Sequence, residues 1–213
     1  DYAAIVASGT TDMAFRKNLA AKAFAHTATY DSMIASWFGF ADQGQLFPAT
    51  LPLIAEAPTV LRYGENPHQQ AAFYRPAGPH GRGIGQAEQV QGKELSYNNL
   101  LDLDAALELI DDLATLPGVP FAILKHNTPC GVGQGANLRE AWDKALATDR
   151  QAPFGGIIAV NRPLDGAGAK VMAEIFSEVI VAPEFTTEAL AVLQLKKNLR
   201  LLQVLQPGKA AQP

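Results

Sequence analysis

The sequence predicts an α/β fold, and three observations predict it. From residue 58 onward, short apolar runs alternate with amphipathic helical stretches, a pattern that implies βαβ units and a largely parallel sheet with helices on its faces. The chain of 213 residues is 48% apolar and only 18% charged, enough to bury a core in one large or two small domains. Finally, Phe121-Ala-Ile-Leu-Lys125-His126-Asn-Thr-Pro-Cys-Gly131 reads as a buried strand that carries a lysine and a histidine to its C-terminal end. In open α/β sheets ligands bind at that end.

Asp1-Tyr2 opens directly into the apolar Ala3-Ala4-Ile5-Val6-Ala7, with no initiator Met. Thr10 or Thr11 can cap a helix whose Phe15, Leu19, Ala23, His26, Tyr30 and Ile34 recur at three or four residues and form one stripe, with His26 read as a packed helix residue. Residues 39–57 hold Gly39, Gly44, Pro48 and Pro52 and read as a connector. Residues 71–74 and 86–91 are short strand candidates. Leu100 to Leu113 is an amphipathic helix with acidic residues in its first turn, where the helix dipole favours them. Strand 120–125, helix 137–147, strand 156–160, helix 167–176, strand 178–182 and helix 186–195 complete the alternation. Gly78–Gly85, with His80, reads as a mobile loop, and the polar stretch from Gln206 as a frayed tail.

Composition excludes several classes. A net charge of −4 argues against a nucleic-acid face built on bulk charge. Lys196-Lys197 is the one adjacent lysine pair, and a solvated helix face accounts for it. One cysteine, Cys130, allows no intrachain disulfide and suits a reducing cytoplasm. No apolar stretch reaches the ~18 residues of a membrane span, and no signal peptide is visible.

Four segments can carry chemistry. A lysine beside a histidine disfavours the imidazolium, because like charges repel, so His126 is biased toward a proton acceptor. Strand side chains alternate between faces, so Lys125 and His126 serve one site only if the strand ends at this pair, as Asn127-Thr128-Pro129 suggests. The bland alternative is a solvated strand end. In Leu61–Gln69, Arg62 offers a fork for phosphate or carboxylate and Tyr63 a stacking face, while Gly, Asn and Pro also fit a simple polar turn. Asn98 or Asn99 can be a helix N-cap, and a helix start can also hold an anion. Gly155-Gly156 allows close approach of a ligand or makes a tight turn. A zinc deaminase reading fails: Gly133 stands where Pro129-Cys130 would need a second cysteine, and no His-x-Glu occurs. No P-loop, G-x-G-x-x-G or G-x-S-x-G motif is present either.

LRYGENPHQ (61–69), GKELSYNNLLDLDAA (92–106), LKHNTPCG (124–131), DRQAPFGGIIAVNR (149–162), EVIVAPEF (178–185) and LKKNLRLL (195–202) together resemble the bifunctional purine-biosynthesis family. That family joins an IMP cyclohydrolase domain to an AICAR (5-aminoimidazole-4-carboxamide ribonucleotide) formyltransferase domain. The resemblance covers nearly the whole chain. It implies that residues 1–38 end the cyclohydrolase domain, 39–57 form a linker, and 58–213 form the first formyltransferase subdomain, a three-layer α/β/α unit with a cytidine-deaminase-like fold that uses no metal. It implies catalysis by Lys125 and His126 and substrate contacts from Arg62, Tyr63, Asn99, Gly155 and Glu178. The formyl donor would be 10-formyltetrahydrofolate, and the parent would be a cytoplasmic homodimer with no nucleic-acid or membrane partner. By the resemblance the chain is an internal piece, with most of the cyclohydrolase domain before Asp1 and the second formyltransferase half after Pro213. A non-catalytic nucleotide-binding or scaffold half-domain is the competing reading. One departure stands out: the family has Asn before the Pro of the Lys-His segment, where this chain has Thr128 preceded by Asn127.

Overall fold

The computed structural model describes residues 1–76 and 83–204, so the part of the expected Gly78–Gly85 loop up to residue 82, with His80, and the tail from Gln206 lie outside the described residues, while Ile84–Gln86 forms a 3-10 turn. The chain divides into two units, Asp1–Glu56 and Ala57 onward.

The first unit is helical. α1 (Tyr2–Ser8) precedes α2 (Met13–Ser36), and a π-helical turn follows at Trp37–Asp42. Asp12, rather than Thr10 or Thr11, caps α2, its carboxylate accepting the Phe15 N–H at 2.7 Å. A carboxylate at a helix N-terminus also meets the positive end of the helix dipole, which a hydroxyl does not exploit. The expected apolar stripe is not buried: among the described residues Phe15 and Leu19 are half-buried, no residue of α2 is fully buried, and His26 is exposed rather than packed.

β1 (Ala55–Val60), which begins two residues before the second unit, and β2 (Ala72–Pro76) form a two-stranded sheet. The main sheet has six strands in the order β3-β8-β7-β6-β4-β5. These are β3 (Glu88–Gln91), β4 (Val119–Lys125), β5 (Thr128–Gly135), β6 (Gly156–Val160), β7 (Ser177–Ala182) and β8 (Arg200–Gln203). The helices are α3 (Tyr97–Leu113), α4 (Leu138–Thr148), α5 (Gly166–Met172) and α6 (Thr187–Leu193). Strand side chains alternate between the two faces. Phe121, Ile123, Ile158, Val160 and Ile180 pack with α4, α5 and α6 on one side. Ala122, Leu124, Ile157, Ala159 and Val179 pack with Leu103, Ala106 and Ile110 of α3 on the other. The result is a sheet covered on both faces, which is why its central strands are nearly continuous apolar runs.

The expected largely parallel sheet is corrected to a mixed one. Only β6–β7 and β7–β8 are parallel; β3–β8, β4–β5 and β4–β6 are antiparallel. The reason is local. Lys125 pairs with Thr128, leaving His126 and Asn127 as a two-residue hairpin loop, both with positive φ (54 and 59). Such a turn returns the chain alongside itself instead of sending it across the sheet. β5 went unanticipated because Gly131, Gly133 and Gly135 weaken any strand signal. In the fold they are required: a Cβ at Gly131 would stand 2.1 Å from the Ala145 carbonyl oxygen, and one at Gly133 2.1 Å from that of Ala141. The strand therefore lies almost on the backbone of α4. Pro129 is tolerated because β5 is an edge strand.

Other boundaries shift for identifiable reasons. α3 begins at Tyr97, not Leu100, so its first turn holds no acidic residue. Ser96, not Asn98 or Asn99, is the N-cap: Ser96 Oγ accepts the Asn99 N–H (3.2 Å) and Asn99 Oδ1 accepts the Ser96 N–H (3.1 Å), a reciprocal capping box. α5 stops at Met172 and α6 at Leu193, both short of expectation. Lys196 is not a solvated helix-face residue. It is half-buried, and its ammonium donates to the carbonyls of Ala173 and Ile175 just past α5, taking the acceptors that a longer helix would have used.

Candidate active site

Because β4 runs antiparallel to β6, with Leu124 opposite Ile157, the carboxyl end of β4 lies beside the amino end of β6. The cleft that holds the marked residues is therefore at the amino ends of the parallel strands, not in the carboxyl-end crevice that the expectation invoked. A cavity of about 480 Å³ does occupy the carboxyl end, lined by Asp104, Glu108, Val160 and Val181 among others, and none of its lining among the described residues is basic. The amino-end cleft is about 740 Å³ and brings together Arg62, Tyr63, Asn99, Lys125, His126, Gly155 and Glu178, all seven residues singled out in the sequence. A cleft of that size suits a nucleotide-sized ligand.

Each side chain arrives by a definable route. The segment 61–69 is folded on itself: Gly64 N–H donates to the Gln69 carbonyl (3.0 Å) and the Asn66 N–H to Gln69 Oε1 (2.7 Å). Leu61 is buried beneath it, and the Arg62 N–H reaches the Leu95 carbonyl at 3.4 Å, which ties the turn to the lead-in of α3. The exposed Arg62 guanidinium lies 4.8 Å from the centre of the Tyr63 ring and donates to the Tyr63 hydroxyl at 3.1 Å. The segment is thus a turn whose Arg62 and Tyr63 side chains also line the cleft.

Lys125 is the last residue of β4, and its Nζ donates to the Phe154 carbonyl at 2.7 Å. An ammonium has three donors, so two remain for a ligand. His126 is exposed at the first position of the hairpin turn. The strand thus ends at this pair, which lets two adjacent residues face one cleft.

Gly155 has φ 75, a conformation that favours glycine, and its N–H donates to the Phe176 carbonyl at 2.7 Å. Gly156 N–H closes a turn on the Pro153 carbonyl at 2.9 Å, and a Cβ there would stand 2.7 Å from the Leu124 carbonyl oxygen. Strand packing, not a ligand, requires that second glycine. Asn99 is buried and its Oδ1 is committed to the helix cap, leaving Nδ2 as its free end among the described residues. Glu178, at the start of β7, accepts from the Arg200 guanidinium at 2.7 Å; Arg200 is 3% exposed and also donates to the Glu94 carbonyl at 3.0 Å. An arginine buried in this way holds the carboxylate in one geometry.

Sequence reasoning passed over Arg200, Asp102, Phe154 and Phe176. Phe154 and Phe176 form a tilted pair, 5.2 Å between ring centres, at the rim of the cleft. Asp102 accepts the Asn127 N–H at 2.7 Å. Arg200, Asp102 and Phe154 lie inside the family-like segments without a role in the cleft assigned to them, and Phe176 lies outside those segments; an arginine opening an apolar strand is the available signal. Cys130, on β5, is not among the residues lining this cleft, and burial and, second, the Asp149 carboxylate push its thiol up and away from the reactive thiolate. Among the described residues no three His, Cys, Asp or Glu side chains gather as a metal set would require, and no helix is long and apolar enough to cross a membrane.

Fold and cleft define an α/β protein with a polar cleft lined by a strand-end lysine and a turn histidine. The family model of the AICARFT/IMPCHase bienzyme matches residues 1–213, and the chain belongs to that family. It is similar to the bifunctional purine biosynthesis protein PurH of Chloroflexus aurantiacus, 50% identical over 210 residues that cover 97% of this chain and 39% of the relative. The PurH proteins of Caulobacter vibrioides (52% over 199 residues, 93% and 37%) and Parvibaculum lavamentivorans (50% over 206, 95% and 38%) are similar to the same extent. The chain thus spans about two-fifths of the length of these relatives.

Proposed function

We propose that this chain carries one wall of an AICAR formyltransferase active site. The reaction moves a formyl group from 10-formyltetrahydrofolate to the 5-amino group of AICAR, in a parent protein that also closes the ring to IMP. The observation that carries the reading is the convergence of Arg62, Tyr63, Asn99, Lys125, His126, Gly155 and Glu178 on one cleft. On this reading residues 58–213 are the first, cytidine-deaminase-like α/β/α subdomain of the formyltransferase domain, 39–57 a linker, and 1–38 the end of the cyclohydrolase domain. The sheet covered on both faces supports the α/β/α description. The parent is read as a cytoplasmic homodimer, and sedimentation of the full-length protein tests that.

The chemistry follows from the nucleophile. An aromatic amine is weakly basic, so its nitrogen attacks the formyl carbon effectively only as its proton is removed. His126 takes that proton, and the imidazolium can then return it to the departing folate nitrogen. As the C–N bond forms, the carbonyl electron pair moves onto the formyl oxygen. Lys125 Nζ stabilises that oxygen with a donor not used by the Phe154 carbonyl. Arg62 and Tyr63 hold the ribonucleotide, and Asn99 Nδ2 and the Glu178 carboxylate fix its polar edge. Binding the amine and the formyl donor together supplies the orientation term.

In a full-length enzyme carrying this segment, His126→Ala is expected to slow formyl transfer at least ~100-fold, with nucleotide affinity much less affected. Lys125→Ala also loses rate, and Lys125→Arg restores little, because a planar fork replaces a compact ammonium. Near-normal turnover of the His126 variant removes it from the mechanism. A second reading, binding without turnover by the 213-residue chain itself, is favoured by the exposure of His126, since charge stabilisation is weak in water. A steady-state assay of that chain with both substrates separates the two.

A further inference from the structure

We propose that Asp102 is a positioning residue for His126, acting through Asn127; the inference rests on the formyl-transfer reading of the cleft. The imidazole of His126 has no hydrogen-bond partner among the described residues; its only hydrogen bond there is made by its backbone carbonyl, which accepts from Thr128 Oγ1 at 3.3 Å. Nothing grips the ring directly, so its place is set by the backbone of the turn. That turn has positive φ at both central residues, 54 at His126 and 59 at Asn127. Asparagine and histidine both accept this conformation more readily than most residues, but two-residue turns favour Asn, Asp and Gly, so His126 is not the residue such a turn would select. A histidine-led turn of this kind needs an external hold to stay in one geometry.

Asp102 supplies the hold. Its Oδ1 accepts the Asn127 backbone N–H at 2.7 Å. Turned so that its nitrogen meets acceptors, the Asn127 amide donates to the same Oδ1 at 3.1 Å and to the Leu101 carbonyl at 3.1 Å. One carboxylate oxygen thus receives both donors of the residue next to His126. Asp102 is itself fixed. It lies in the second turn of α3, between the reciprocal Ser96–Asn99 cap and the buried Leu103, which packs against the face of the sheet that carries Leu124. The chain of constraint runs from the sheet through α3 and Asp102 to the Asn127 peptide and then to the His126 ring. A displacement of about 1 Å at a reacting group can cost on the order of 10²-fold in rate, so the carboxylate that holds the turn matters to transfer through the place it gives His126.

The test uses Asp102→Ala, Asp102→Asn and Asp102→Ala/Asn127→Gly, with His126→Ala as reference. Turnover and AICAR affinity are measured in a full-length enzyme carrying the segment. Ring resonances of His126 are read by NMR in the 213-residue chain. Asp102→Ala is expected to lower kcat about tenfold with AICAR affinity within twofold, and to move the His126 ring resonances. Asp102→Asn, which keeps an acceptor oxygen, recovers at least half of the lost rate. Asn127→Gly, which adopts positive φ freely, recovers at least threefold in the Asp102→Ala background. Unchanged kcat and unmoved ring resonances in Asp102→Ala overturn the proposal. So does a loss of AICAR affinity as large as the loss of kcat, since Asp102 would then be a ligand contact. If His126→Ala turns over normally while Asp102→Ala still moves the ring resonances, the formyl-transfer reading fails and the positioning of the ring stands.

Discussion

Replacing Gly133 with alanine tests how the hairpin that bears Lys125 and His126 is seated. Gly133 is not among the positive-φ glycines, so alanine is conformationally acceptable and the effect isolates packing. The new Cβ would stand 2.1 Å from the Ala141 carbonyl oxygen and 2.7 Å from the Ala145 nitrogen. A real Cβ essentially never comes closer than about 3.0 Å to such an atom, so strand and helix must part by roughly 1 Å. The atoms in conflict are backbone on both sides, with no flexible side-chain end to give way. A gap of that order forfeits a quarter to a half of the dispersion energy along the interface. The interface is not small: Leu138, Ala141, Trp142 and Ala145 of α4 are buried, and Trp142 meets the Phe121 ring edge-on at 5.4 Å. Overpacking costs about 1–3 kcal/mol, and the rigid neighbours place this case near ~3 kcal/mol. With a urea slope of ~2 kcal/mol/M the midpoint falls by about 1.5 M. Trp142 fluorescence in a Trp37→Phe background reports it, since the chain has two tryptophans. A midpoint drop below about 0.3 M would show that α4 shifts without penalty and that the glycines are not needed for close approach.

Arg62→Ala is expected to weaken AICAR binding by ~1.5–3 kcal/mol, the scale of a hydrogen bond to a charged group, and unchanged affinity by calorimetry in the full-length protein refutes that role. Glu178→Gln leaves the Arg200 charge, 3% exposed, without its counter-charge. A loss of about 3 kcal/mol is expected, at the low end for a broken buried pair because Glu178 keeps contact with solvent, and Glu178→Leu/Arg200→Met should regain most of it in urea melts. Asp149 accepts the N–H groups of Ala152 and Gln151, in that order of effect, which hold its carboxyl below the ordinary carboxylate range. The depressed folded value makes its contribution whole above pH ~4 and lost as pH falls through the folded pKa. The stability of Asp149→Asn should therefore diverge from the parent above pH ~4 and converge with it in stronger acid; parallel curves would contradict this.

The central strands were legible because each is buried on both faces and reads as an unbroken apolar run. β6 begins and ends at the expected residues, 156 and 160, and β4 is one residue longer than expected. Their direction was not legible, since an apolar run carries no sign of which way its neighbour points. Direction was decided by His126-Asn127, a loop too short to cross the sheet. The residues of the cleft could be gathered from motifs, yet what holds them could not. Asp102 reads as one more carboxylate on an acidic helix, and Arg200 as a basic residue after a lysine pair. Only the fold shows that one grips a turn and the other a carboxylate. β5 is the sharpest case. Its alternating glycines look like a loop because they abandon strand propensity, and they do so because α4 lies where side chains would have stood. The absent side chains let α4 close on the hairpin, and α3 grips its turn from the other face through Asp102. The hairpin that bears Lys125 and His126 is thereby held at Gly131 and Gly133 by a helix backbone and at Asn127 by a helix carboxylate, and none of these three contacts could be read from the sequence.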